Sequence, residues 1–182
     1  MYRKLSLIVL VGVICALWGN FAHAQEFSAK LNGFEEVGPL PGPTAAETGA
    51  ILSNGKGTLR LDVDDQRITY RLNYSGLSTA VTQAHIHFGK IHVPGGVMVF
   101  FCTNQGNGPA GTPACPASGG TVTGTITAAS VVGPTAQNVT PGDFTAVLQA
   151  LNSNTAYANI HTTKFPAGEI RGQIRPGDRD DD

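Results

Sequence analysis

The chain has 182 residues, with 12 Lys+Arg, 13 Asp+Glu, 5 His, 3 Cys and a formal net charge of −1. That length suits a single domain behind a short leader. The near-balanced charge, with no basic cluster, excludes the phosphate-neutralising surface of a nucleic-acid binder.

The amino terminus places Arg3 and Lys4 before a run from Leu5 to Trp18 without a charge, then Ala22-His23-Ala24. A positive start, an apolar middle and an A-x-A end predict a secretory signal over 1–24, cut before Gln25. The apolar run of about 14 residues falls short of the roughly 20 that span a bilayer, and no later stretch is long enough to do so. Cys15 follows Val13 and Ile14 rather than the small residues of a lipoprotein site. The exported part then keeps 10 Lys+Arg against 13 Asp+Glu, a net charge of −3, with two cysteines.

Period-two alternation predicts strands through most of the chain beyond Gln25. Phe27–Leu31 comes first. Leu59, Leu61 and Val63 then alternate with Arg60 and Asp62; beyond an Asp65-Gln66 turn, Ile68, Tyr70, Leu72 and Tyr74 alternate with Thr69, Arg71 and Asn73. This reads as a hairpin of two half-buried strands. Thr82–Phe88, Val97–Cys102, Gly120–Thr127, Ala156–His161 and Glu169–Ile174 complete the set, with glycine and proline between them. Short antiparallel strands at this spacing predict a mainly β, Greek-key sandwich or barrel.

Two other features are expected. Cys102 and Cys115 flank a Gly/Pro-rich loop, and in an oxidising compartment such a pair implies a disulfide worth about 3 kcal/mol. Thr140-Pro141-Gly142-Asp143, followed by Phe144, Val147, Leu148 and Leu151, predicts a short amphipathic helix over 141–151 capped by Thr140. The polar stretch 176–182 is expected as an acidic, solvated tail.

The segment Ala84-His85-Ile86-His87 is echoed by Ala158-Asn159-Ile160-His161. Each is followed by a lysine, Lys90 or Lys164, and a proline-containing turn, Pro94-Gly95-Gly96 or Pro166-Ala167-Gly168. With GLSTAVTQAHIHFGK, the CTN…PACP loop before GGTVTGTIT, and DFTAVLQALNSNTAYANIHTTKFPAGEIRGQI, the chain resembles the CHRD family over about 25–175. This is the domain named after chordin and common in exported microbial proteins. The resemblance implies a β-sandwich of poorly defined biochemical role. The His-x-His strand is also locally similar to the copper-ligand strand of copper/zinc superoxide dismutases, but the long histidine-bearing zinc loop is missing.

Strand parity puts His85 and His87 on one face and His161 outward on the second copy. If the two copies lie side by side, three imidazoles could meet on the outer face, a donor set suited to copper before zinc. His92, in the loop after the first copy, is a reserve ligand. Glu169 is a fourth ligand or an orienter of a ring N–H. A hairpin register pairing His161 with Glu169 would set Asn159 against Arg171 and Tyr157 against Gln173, with Glu169 and Arg171 as a cross-strand ion network. The leading expectation is an exported, non-enzymatic module binding copper at a surface site through His85, His87 and His161. Against it stand a metal-free adhesion or protein-interaction module of the envelope or matrix, and a copper-dependent oxidoreductase.

Overall fold

The computed structural model describes residues 25–39, 48–64 and 66–177. The expected leader over 1–24 and the expected acidic tail from 178 onward lie outside the described residues, as does most of the PLPGPT turn. The strands are β1 (Gln25–Asn32), β2 (Lys56–Val63), β3 (Ile68–Ser75), β4 (Val81–Phe88), β5 (Gly96–Thr103), β6 (Gly120–Ile126), β7 (Ala156–Thr162), β8 (Ile170–Gln173) and the short β9 (Arg175–Pro176). One helix, α1 (Phe144–Asn152), precedes β7.

Every pairing is antiparallel. The strand order is β5-β4-β7-β8-β1-β2-β3-β6, with β9 beside β1. The two ends of this path meet, because Val99 in β5 bridges Val131 just after β6 and the Val132 N–H donates to the Met98 carbonyl at 2.9 Å. The sheet therefore curls into a nearly closed barrel. Closure removes the row of unpaired backbone groups that an open edge would leave.

Alternation explains the barrel wall. In β2 the residues Leu59, Leu61 and Val63 are buried while Arg60 and Asp62 are exposed, and β3 repeats the pattern in register, Leu61 opposite Tyr70 and Val63 opposite Ile68. Phe27, Leu31, Ile86, Phe101, Ile126 and Ile160 fill the same interior. Cys102 and Cys115 form the expected disulfide, fixing the loop after β5. Asn104 reinforces it by donating to the Cys115 carbonyl and accepting from the Cys115 N–H.

Two expectations about element ends are corrected. The helix begins at Phe144, and its cap is Asp143, whose carboxylate accepts from the Ala146 N–H at 2.9 Å. Thr140 instead starts a tight turn that passes through Gly142 at a φ of 89°, a conformation outside the helical region that glycine tolerates. At the other end, Arg175 and Pro176 pair with Ser28 and Phe27, and Gly177 N–H donates to Glu26 O. The chain is thus held to β1 through the start of the expected tail.

Candidate metal centre

The duplicated segments form the adjacent strands β4 and β7. They run antiparallel, with His85 opposite Asn159, His87 opposite Tyr157 and Gln83 opposite His161. The expected β7–β8 register also holds, with Tyr157 opposite Gln173 and Asn159 opposite Arg171. Ala84, Ile86, Ala158 and Ile160 point into the barrel, so the histidines project from its outer side. On β5 two register shifts fall opposite this strand, between Ala84 and His85 and between Ile86 and His87. Such bulges bend a strand locally and re-aim the side chains across from them.

That outer side is not a surface, contrary to the sequence expectation. His85, His87 and His161 are 2%, 8% and 5% exposed, and every residue of β7 is buried. The covering layer comes from loops that alternation cannot reveal. Arg171 donates from Nη2 to the Lys90 and Val93 carbonyls at 2.9 and 3.0 Å, seating the loop after β4. Glu36, also buried, accepts from the Val37 and Gly38 N–H groups and from Asn159 Nδ2, seating the segment after β1. The Thr163–Gly168 turn closes the third side.

Within this layer the three rings converge. One ring nitrogen from each lies within 4.8 Å of the others. His85 Nδ1 and His161 Nε2 are 3.1 Å apart, and the His85 and His87 ring centres are 5.3 Å apart. The proline-containing turns explain the orientation. His87 Nδ1 lies 2.9 Å from the Gly95 carbonyl and His161 Nδ1 lies 3.0 Å from the Pro166 carbonyl, so each Nδ1–H donates and each Nε2 presents a lone pair. The two copies thus act alike, since the turn after each strand folds back and fixes the tautomer of that strand's last histidine. With His161 Nε2 an acceptor, His85 Nδ1–H donates to it. His85 Nε2 and His87 Nε2 are then buried without any hydrogen-bond partner.

Burial holds all three rings neutral. It pushes His85 down to about 2, helped by the charges His161 and His87 would carry. It lowers His87 to about 3, with His161 and Arg171 adding to the effect and the Gly95 carbonyl opposing it. His161 falls to about 4 for the same reason, against the Pro166 carbonyl. Aromatic neighbours complete the enclosure. Tyr157 stacks on His87 at 4.8 Å with ring planes 5° apart, and it carries the Arg171 guanidinium 3.4 Å from its ring centre. Phe100 packs against His85, with ring centres 4.3 Å apart and planes 89° apart.

The two reserve ligands are placed elsewhere. His92 is exposed and pairs with Glu35 at 3.3 Å. Glu169 is fully buried, but its oxygens accept from Ser53 Oγ, Ser78 Oγ, the Ser78 N–H and Thr162 Oγ1 at 2.6–2.8 Å. The expected Glu169–Arg171 ion network is absent among the described residues, since the carboxylate is directed to hydroxyls and the guanidinium to loop carbonyls. Sequence reasoning missed Glu36 and Phe100 altogether; neither carries a motif, Glu36 acts from the segment that folds over the sheet, and Phe100 sits opposite His85 beside the register shifts of β5.

No helix among the described residues is long and apolar enough to cross a membrane. No curated protein and no solved structure matches the chain. The CHRD domain model matches residues 27–174, which takes in β2 to β8, most of β1 and all three histidines, and the chain belongs to the CHRD family.

Proposed function

We propose that this CHRD domain is an exported, non-enzymatic module that binds a transition metal, copper before zinc, through His85, His87 and His161. The observation that carries the reading is the pair of buried, unpartnered lone pairs on His85 Nε2 and His87 Nε2 beside a third ring within ligating reach. A buried acceptor without a partner costs about 1–3 kcal/mol. A metal ion would satisfy such acceptors, and the neutral imidazole it requires is the state that burial favours. Export is supported by the leader-like amino terminus and by the disulfide, which persists in oxidising compartments.

Chelator-treated protein should take up one equivalent of copper with a dissociation constant in or below about the micromolar range. At 100 times that concentration the ion should stabilise the fold by about 2.7 kcal/mol. The His85→Ala/His87→Ala variant, checked for native circular dichroism, should show neither uptake nor stabilisation. Equal and weak uptake by both proteins would remove the metal reading. A second reading, an interaction module of the envelope or matrix, would then gain from Phe34, Leu52, Ile91 and Val93, which are 47–89% exposed between the strands.

A further inference from the structure

We propose that the three-histidine centre selects monovalent over divalent metal, taking copper as Cu(I); this rests on the metal-binding reading above. Coordination number is the first reason. A zinc ion completes four ligands, and cupric ion prefers a tetragonal set. The chain offers three nitrogens, whereas a d10 monovalent copper ion is satisfied by three in a plane. Bonds of about 2 Å in that plane put donors about 3.5 Å apart. One ring nitrogen of each histidine lies within 4.8 Å of the others, a bound that admits that spacing, so small ring rotations complete it.

Charge is the second reason. The ligands are neutral imidazoles, and among the described residues no carboxylate or thiolate joins the group. The nearest buried carboxylates are engaged, Glu169 by Ser53, Ser78 and Thr162, and Glu36 by Asn159 and two backbone N–H groups. Arg171 adds a fixed positive charge through Tyr157, which stacks on His87. The cost of burying an ion grows with the square of its charge, so a divalent ion pays about four times the desolvation of a monovalent one. Water could make up the missing ligand, but the Phe100 ring packed against His85 and the burial of all three rings oppose its entry.

The test uses folded protein with its disulfide intact, under anaerobic conditions, with ascorbate rather than a thiol as reductant in the Cu(I) arm and no reductant in the Cu(II) and Zn(II) arms. Cu(I) is supplied as its weakly held acetonitrile complex, Cu(II) from a glycine buffer and Zn(II) as the free ion. The protein should withdraw one equivalent of Cu(I), with affinity at least about 100-fold above that for Cu(II) or Zn(II). X-ray absorption of the Cu(I) form should show three nitrogen neighbours. His161→Gln should weaken Cu(I) binding and His92→Ala should not, with circular dichroism confirming both folds. If Zn(II) or Cu(II) binds the histidines as tightly as Cu(I), selection by valence is wrong while the metal centre stands. If natively folded protein takes up none of the three, the metal-binding reading fails as well.

Discussion

Taken from pH 7 to pH 5, the metal-free protein should lose about 6 kcal/mol of stability. In the unfolded chain each histidine protonates near 6.5. In the folded chain burial holds His85, His87 and His161 neutral down to about 2, 3 and 4. Below pH 6.5 the unfolded state therefore binds more protons than the folded state. Stability rises with pH through this window and levels off above it, and the slope approaches about 1.4 kcal/mol per ring per pH unit. At pH 5 each ring costs about 2 kcal/mol, and three together approach the whole stability of a typical domain. Urea unfolding at pH 5, 6 and 7 measures this directly. Replacing His161 by Gln should reduce the slope by about a third, whereas a pH-independent midpoint would show that the rings are not held neutral by the fold.

Glu169→Ala should destabilise the protein by roughly 3–5 kcal/mol while leaving the three-histidine group able to bind its ion. Burial alone would raise this carboxyl's pKa, but hydrogen bonds from Ser53, Ser78 and Thr162 outweigh it and hold the pKa below its ordinary value. The group is therefore charged, and it fastens three separate pieces: the loop before β2, the connection from β3 to β4, and the end of β7. Removing it leaves four donors without their charged acceptor, among them the buried Thr162 hydroxyl, and a hydrogen bond to a charged acceptor is worth about 1.5–3 kcal/mol. Its contribution is present above the ordinary carboxylate range and lost as pH falls through it, well below the histidine window. Denaturant titration gives the stability, and copper uptake by the folded fraction separates the roles. Lost affinity at unchanged stability would instead identify Glu169 as a ligand.

The wall of the barrel was legible because one side of β2 and β3 faces water, so Leu59, Leu61, Ile68 and Leu72 alternate with polar residues. The His85-x-His87 parity and the β7–β8 register followed from the same rule, and the duplication from the likeness of the two segments and their turns. What alternation could not show is the layer over β4 and β7. Tyr157, Asn159 and Arg171 occupy outward positions that read as solvent-facing, yet Arg171 is 2% exposed because loop carbonyls close over it. The repeated proline-containing turns were visible as sequence, but their role was not. Only in three dimensions does each supply a carbonyl, from Gly95 or Pro166, to a histidine Nδ1. Glu169 was drawn toward the histidines by register alone, whereas the hydroxyls of Ser53, Ser78 and Thr162 hold it away from them.

The metal assignment is tested most directly by crystals grown with copper and measured on both sides of the copper absorption edge. A single anomalous peak about 2 Å from one nitrogen each of His85, His87 and His161, and none at His92, is the predicted result. Well-ordered rings with no peak between them, at copper concentrations that saturate uptake in solution, would contradict it.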